Sequence, residues 1–366
     1  MGIIGGGQLA QMLAMAAWDL GLHPIALAPD DSPVSLVTET TQEISAFRDF
    51  ELTVIESEFE DLKRLGSFPN LEPKLDCIEI FQDKWKQKKF FKEMGFPTSA
   101  FLEIEGSFIS IEAAQRELGK NLVLKWARQG YDGKGNYFLK TKIDDAAIVF
   151  AQNAKKNGSK VFAEKAISFD SEVSLMTFAE PGGKCIHYPL VQTIQRRGMC
   201  ESVQSITDSK SQKTAEKYAK ELVAATEITG AFAIEFFKCG KKLIVNEVAP
   251  RVHNSGHWSQ CLTLQSQFHL HWLALLGELP EKVKTPRFFA MKNLIGERTL
   301  TLNKNGWPPA IEIDPGLSVH WYGKSDERPR RKLGHINVKA NSRTEFRKRL
   351  ALSDLLEQEV WKSARS

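Results

Sequence analysis

Cysteine is scarce and scattered in this chain. Five residues (Cys77, Cys185, Cys200, Cys239 and Cys261) make no C-x-x-C and no even framework, which argues against a zinc ribbon or a disulfide-stapled scaffold and fits a reducing cytoplasm. No apolar stretch approaches the roughly 18 residues of a membrane span, and the amino terminus runs into a glycine turn without a basic leader segment. Neither sign of charge dominates. With 49 Lys and Arg against 45 Asp and Glu, the net charge of +4 calls for no nucleic-acid or membrane partner, so any anion site must be local. Internal repeats and low-complexity tracts are also missing. What remains is a globular chain of 366 residues, 42% hydrophobic, long enough for two or three domains.

The most informative positive feature is a pair of glutamates in AFAIEFFKCGKKLIVNEVAPR. Ala231 to Phe237 and Leu243 to Val248 read as two strands joined by a turn around Cys239, Gly240 and Lys241. A hairpin symmetric about Lys241 sets Glu235 directly opposite Glu247. Like charges so placed are destabilising unless a cation lies between them, and oxygen-only ligation by two carboxylates suits Mg²⁺, with Mn²⁺ as its substitute. Small Ala231 and Ala233 share the Glu235 face and leave room for a ligand. A solvated hairpin face with two unrelated glutamates would present the same residues.

Along the chain, MGIIGGGQLAQMLAMAAWDLGLHPIALAPD reads as strand, glycine turn, apolar-faced helix and strand, the start of a doubly wound α/β unit. Gly5, Gly6 and Gly7 would aim helix-start N–H groups at an anion. GGGQLA falls short of a full G-x-G-x-x-G, although Ala10 stands at its last position, so a nicotinamide site is the lesser reading. LTVIESEFEDL places Glu56, Glu58 and Glu60 at a strand end or helix start, at least one of them as solvated surface. Past the basic helix QDKWKQKKFF, strands joined by short turns replace the strand-helix alternation, which sets a boundary near residue 86. A small antiparallel sheet with one helix (Asp144 to Lys156) follows at about 121–167, then a larger mixed sheet to Leu279. Pro280 to Pro286 read as a linker into a strand-rich module closed by a helix from Ser342 to Trp361.

Three further segments carry chemistry. NLVLKWARQGYDGKGNYFLKT is a strand, a glycine loop and a return strand, in which Gly130, Gly133 and Gly135 can close over phosphates while Lys125 and Lys134 supply charge. A flexible hairpin tip with exposed lysines would look the same. In KVFAEKAISFDSEVSL, backbone groups from Glu164 through Lys165 and Ala166 to Ile167 can read a nucleotide base, and Glu172 can accept hydrogen bonds from a ribose. KSDERPRRK offers a terminal anion site, with Asp326 and Glu327 interleaved against a nucleic-acid reading.

This order of parts (lysine strand, glycine loop, acidic linker strand, ribose carboxylate, opposed glutamates) resembles the ATP-grasp superfamily, in which two sheets clamp ATP and Mg²⁺. NEVAPRVHNSGHWSQ, HWYGKSDERPRRKLGHINV, IIGGGQLAQML, QDKWKQKKFF and GYDGKG narrow the resemblance, over essentially the whole chain, to the 5-(carboxyamino)imidazole ribonucleotide synthase family of purine biosynthesis. That resemblance implies an α/β ATP-grasp fold with an amino-terminal Rossmann-like domain (1–85), an ATP-grasp domain (86–279) with a small lid, and a strand-rich carboxy-terminal module (280–366). It implies an ATP- and bicarbonate-dependent ligase acting on aminoimidazole ribonucleotide, and a cytoplasmic homodimer. Carried over by motif, ATP contacts fall on Lys84, Lys125, Gly130, Tyr131, Asp132, Gly133, Lys134, Gly135, Asn136, Glu164 to Ile167, Glu172, Gln195, Asn246 and Glu247. The metal ligands fall on Glu235 and Glu247. Gln8, Glu58, Tyr131, Asp132, Lys324 and Arg331 would meet the ribonucleotide, and Arg251, His253, Asn254 and Lys134 the bicarbonate and its phosphorylated form. The chain departs from the family pattern at Gln129 and Arg330, each in place of a glycine, and at Gln195 in place of a histidine.

Overall fold

A computed structural model describes residues 1–366 except 129, 131–134, 197, 263, 303–313 and 366. Three β-sheets carry most of the chain. The first is parallel, with its strands in the spatial order Glu39–Thr41, Ile25–Leu27, Gly2–Ile4, Thr53–Ile55, Leu71–Glu72. Gly2–Ile4 and Thr53–Ile55 lie side by side where the winding reverses, the position at which such sheets expose a crevice beyond their strand ends. Two segments therefore meet there, the glycine turn with Gln8 behind Ile4, and Glu56 to Glu58 behind Ile55.

The glycine turn does receive an anion, but an internal one. Glu56 accepts from Gly7 N at 2.8 Å and from Ala10 N at 2.9 Å, so its carboxylate caps the helix Gln8–Asp19. A Cβ at Gly7 would come within 2.8 Å of that carboxylate, and one at Gly5 within 2.3 Å of the Glu56 side chain, where φ is also +121°. These glycines exist to admit Glu56, which removes the dinucleotide reading. Of the acidic trio, none is a fully solvated side chain; Glu60 reaches outward to Arg64 at 3.5 Å.

The second sheet, the lid, is antiparallel in the order Phe101–Ile104, Val161–Lys165, Leu122–Trp126, Asn136–Leu139. Helices Phe108–Leu118 and Asp145–Lys156 cover it with Ile111, Ala114, Ala147 and Ala151. It thus draws in a strand and a helix N-terminal to the expected 121–167, because Phe101–Ile104 pairs with Val161–Lys165. The expected helix start holds to one residue: Asp144 is the N-cap, accepting from Ala147 N at 2.9 Å.

The third sheet has nine antiparallel strands, eight of them running Lys242–Ala249, Gly230–Cys239, Ser171–Ala179, Val191–Arg196, Met199–Ser205, Phe288–Ile295, Lys332–Ala340, Leu317–Trp321. The strands of the carboxy-terminal module extend the central sheet, and its last helix runs Arg343–Arg365, longer than the sequence suggests. The helix Gln267–Leu276 packs between this sheet and the first domain, where Trp272 is fully buried and donates to Leu13 O at 2.9 Å. Enclosing a side chain such as Phe268 there contributes about 1.5–3 kcal/mol. That packing brings Gln8 and Glu58 within reach of residues more than 190 positions away in sequence.

Candidate nucleotide, metal and anion site

The hairpin turns on two residues, Gly240 and Lys241, with Cys239 paired to Lys242. Such a register would set Glu235 against Asn246. A β-bulge at Asn246 shifts it by one residue and restores the pairing of Glu235 with Glu247. The expected opposition is therefore present, although the expected symmetry about Lys241 is not. Ala231 and Ala233 are fully buried in the main core and provide no ligand space; the open ground lies beyond Glu235.

Glu172, Ser174, Glu235 and Glu247 share one face, since Ser174 pairs with Glu235 and Glu172 lies two residues along the same strand. Lys84, first residue of the helix Lys84–Glu93, reaches Glu247 in a close ion pair. Asp83 caps that helix, accepting from Trp85 N at 3.0 Å. Gln87 fixes it to the hairpin by donating to Val248 O at 3.1 Å and accepting from Val248 N at 2.9 Å. Burial works against a charge on Glu247, but Lys84, Lys125 and His253 reverse this and hold its carboxyl below the usual range. Glu235 goes the other way, raised by burial and by Glu247 and Glu172. Glu172 is pushed up to about 7 by burial and by Glu247. The face is a carboxylate surface with too few cations, which is the chemistry of a divalent metal completed by phosphate oxygens. Among the described residues no group of three or more His, Cys, Asp and Glu forms a metal cage, so such an ion would take the rest of its shell from the nucleotide and water.

Lys125 is buried, with its ammonium 3.2 Å from Glu164 and 3.3 Å from Asn246 Oδ1. The Glu164 side chain is buried: it meets Lys88 and Lys125 at 3.2 Å each and accepts from Ser99 Oγ at 2.7 Å. What Glu164 to Ile167 can still offer a base is backbone. At the neck of the glycine loop, a Cβ on Gly135 would stand 2.4 Å from Gly130 Cα, so the close approach of the two strands requires glycine. Asn136 pairs with Lys125 across the hairpin. Tyr131, Asp132, Gly133 and Lys134 lie outside the described residues. Gln195 sits two residues beyond Thr193, which pairs with Glu172.

On the other side of the carboxylate face, His253 Nε2 stands 3.6 Å from Glu235, and its Nδ1 is 2.9 Å from Ser255 Oγ, itself 2.8 Å from Ser174 Oγ. Gln267 grips the His253 backbone at both ends, accepting from its N–H at 2.8 Å and donating to its carbonyl at 2.9 Å. The glycine of HNSGHW makes room for this, as a Cβ on Gly256 would lie 2.6 Å from Gln267 Oε1. Arg251 forms a two-pronged ion pair with Glu58 and donates to Val252 O at 3.0 Å. Asn254 is not turned to an open site: its amide exchanges two hydrogen bonds with Asn293, at 3.1 and 2.7 Å.

Beyond Glu58 lies the basic cluster. Lys324 Nζ donates to Gln8 Oε1 at 2.5 Å and to Lys332 O at 2.7 Å, joining the first domain to the last. Arg331 is held by Asp326, and Arg330 has φ +71°, the left-handed conformation that favours glycine. Lys324 thus ties Gln8 to the chain one residue past Arg331, and Arg251 ties Glu58 to the segment that leads through His253 to the carboxylate face. The sequence reading missed Lys88, Gln87, Ser174, Ser255, Gln267 and Asn293. Lys88 was visible in principle, one helical turn after Lys84.

Comparison with known proteins settles the family. Patterns for a ribonucleotide synthetase preATP-grasp domain match residues 1–68, for the ATP-grasp domain residues 89–268, and for the phosphoribosylaminoimidazole carboxylase C-terminal domain residues 290–349. The N5-carboxyaminoimidazole ribonucleotide synthase of Vibrio cholerae is 32% identical over 98% of this chain and 96% of its own. The chain belongs to the N5-carboxyaminoimidazole ribonucleotide synthase family. Its structural likeness agrees: the synthetase of Thermus thermophilus superposes with a TM-score of 0.81 at 31% identity, covering 96% of each chain. The Aspergillus clavatus synthase, solved with ADP and 5-aminoimidazole ribonucleotide, gives 0.83 at 25% identity over 97% of this chain and 98% of its own. The protein is an ATP-dependent ligase of the ATP-grasp fold, and the dinucleotide oxidoreductase reading falls away. No helix among the described residues is long and apolar enough to cross a membrane.

Proposed function

We propose that this chain joins bicarbonate to the exocyclic amine of 5-aminoimidazole ribonucleotide with hydrolysis of ATP, in purine biosynthesis. A bicarbonate oxygen attacks the γ-phosphorus as the bond to the β-phosphate bridge breaks, giving carboxyphosphate and ADP. The amine then attacks the carboxyl carbon, or CO₂ freed from it, phosphate leaves, and the nitrogen gives up a proton. The single observation that carries this reading is the pairing of Glu235 with Glu247 on a face shared with Glu172 and met by Lys84.

Glu235 and Glu247 would hold Mg²⁺, which when bound neutralises and orients the phosphate oxygens. Lys84 and Lys125 place point charges on the phosphates, and Glu172 accepts from the ribose. Arg251 and His253 hold bicarbonate between that face and the ribonucleotide, oriented by Glu58 and Gln267 respectively. Asn254 serves through Asn293, fixing the start of the HNSGHW segment. Lys324, Gln8 and Arg331 receive the ribonucleotide phosphate, Lys324 as a point charge and Arg331 as a fork. The family resemblance supports a homodimer, which light scattering tests, and the five free thiols accord with a cytoplasmic enzyme.

ADP release should need both bicarbonate and aminoimidazole ribonucleotide; release indifferent to bicarbonate would reassign the chain to ligases that activate an ordinary carboxylate. Arg331→Ala should weaken the ribonucleotide by about tenfold to a hundredfold, a charge-assisted contact of about 1.5–3 kcal/mol, with the KM for ATP barely moved.

A further inference from the structure

Glu327 is the most enclosed carboxylate among the described residues, with no exposed side-chain surface, and the reaction above makes no use of it. Its Oε1 accepts from Glu297 N at 2.7 Å, Arg298 N at 2.9 Å and Arg365 Nη2 at 2.8 Å, and its Oε2 accepts from Arg365 Nε at 2.9 Å. Arg365 comes from the last turn of the helix Arg343–Arg365, with its guanidinium 4.3 Å above the Trp361 ring. That turn is seated by Ala364 and Trp361 against Leu302 and Leu333.

Above this anchor lies the loop that carries Arg328, Arg330 and Arg331. Asp326–Glu327 is a two-residue strand paired with Leu300–Thr301, so its side chains point to opposite sides. Glu327 goes down into the module; Asp326 goes up and holds Arg331 and Arg328. Lys324 precedes Asp326 by two residues. The descending chain is drawn tight against Gly296, whose N–H donates to Arg331 O at 2.8 Å and whose carbonyl accepts from Arg330 N at 2.8 Å. A Cβ at Gly296 would stand 2.5 Å from Arg328 O and 2.8 Å from Glu327 Cγ. The height of the arginine loop is therefore set by how firmly Glu327 is held from beneath.

We propose that Arg365 and Glu327 are positioning residues for the ribonucleotide phosphate: their buried two-pronged pair fixes the strand Asp326–Glu327, which follows Lys324 and from which Asp326 holds Arg331. The proposal rests on the assignment of Lys324 and Arg331 to that phosphate. Such pairing gives geometry as well as attraction, and a shift of about 1 Å in a binding group is enough to cost roughly tenfold or more.

The test measures steady-state constants of Arg365→Met and Glu327→Gln beside Arg331→Ala, with ribose 5-phosphate as a competitive probe. KM for aminoimidazole ribonucleotide should rise roughly tenfold in both pair variants, and the inhibition constant of ribose 5-phosphate by a similar factor. The KM for ATP and kcat at saturating ribonucleotide should stay within about twofold, and Arg365→Lys should recover part of the loss. Glu327→Gln keeps an acceptor for Glu297 N and Arg298 N, so it reports on the pair if Arg365→Met folds poorly. A lower melting temperature with unchanged KM and unchanged ribose 5-phosphate inhibition would overturn the proposal, leaving the pair a staple of the helix. If Arg331→Ala also leaves both constants unchanged, the phosphate assignment itself is wrong. If Arg331→Ala weakens both and the pair variants do not, only the positioning role fails.

Discussion

One helix, Lys84–Glu93, delivers two lysines a turn apart to two glutamates, and the outcomes differ. Lys88 meets Glu164 with side chains only 2% and 3% exposed, and Thr98, Ser99 and Lys125 complete the cluster. Lys84 meets Glu247 at 16% and 29% exposure, with Glu235 and Glu172 nearby and short of positive charge. The first cluster is closed: two lysines enclose one carboxylate, and burial makes each partner depend on the others. The second is open on one side and overfull of negative charge. A closed cluster ties the lid to the hairpin, through Thr98 and Val245; an open one waits for a cation and a nucleotide.

The difference is sharpest under Lys88→Met. Glu164 would keep Lys125 but lose its second cation in a buried site, and breaking a buried pair costs up to about 3–5 kcal/mol. A urea titration should show that loss, and adding Glu164→Gln to Lys88→Met should deepen it rather than recover it, since Lys125 is then buried without a carboxylate. A loss under about 1 kcal/mol would mean the cluster is more hydrated than its burial shows.

Glu247→Gln probes the open cluster. Stability should change little, because Lys84 can turn to Glu235, whereas turnover should fall by about a hundredfold to a thousandfold through loss of a ligand and charge where phosphate charge is neutralised. Wild-type turnover at limiting Mg²⁺ would remove the metal assignment.

The two clusters also show what the sequence could convey. Opposed glutamates in AFAIEFFKCGKKLIVNEVAPR were legible because side-chain alternation is a short-range rule, yet the register depends on a bulge at Asn246 that composition does not announce. The burial of the Glu164 side chain was not legible. Whether a strand residue points in or out depends on which strands flank it, here Phe101–Ile104 and Leu122–Trp126. Pairing of Arg251 with Glu58, 193 positions apart, and of Asn254 with Asn293 depends on how domains and strands dock, and local pattern carries no trace of it. The glycine turn misled because an anion site at a helix start can be filled from within, as Glu56 does.

A smaller effect follows from Glu172, whose pKa is raised to about 7 by burial and by Glu247. A carboxyl with a raised folded pKa binds more protons in the folded chain than in the unfolded one between about 4.5 and 7, so its contribution to stability falls as pH rises through that window. After allowance for solvent screening the decline is roughly 1 kcal/mol. Glu172→Gln should remove it, and Mg²⁺ with ATP should flatten it in the wild type by favouring the charged face. A closed cluster predicts no such ligand dependence, so the same titration on the Glu164→Gln variant separates the two regions.

The smallest effect concerns Arg330, at the far end of the open region. Its φ of +71° puts an L-residue in the left-handed region, at a cost of about 1–2 kcal/mol, and glycine would remove that strain. Glycine also frees the unfolded chain, which returns roughly 0.5–1 kcal/mol of the gain, so Arg330→Gly should stabilise the protein by about 0.5–1 kcal/mol. Denaturation midpoints measure that balance directly. Destabilisation instead would mean that the half-buried guanidinium makes contacts worth more than the backbone strain. Binding supplies the second readout: with Arg331 still held by Asp326, KM for the ribonucleotide should rise no more than about threefold, less than 1 kcal/mol. A larger rise would move the phosphate fork from Arg331 to Arg330, and would mean that the strained backbone is kept here for the charge it carries.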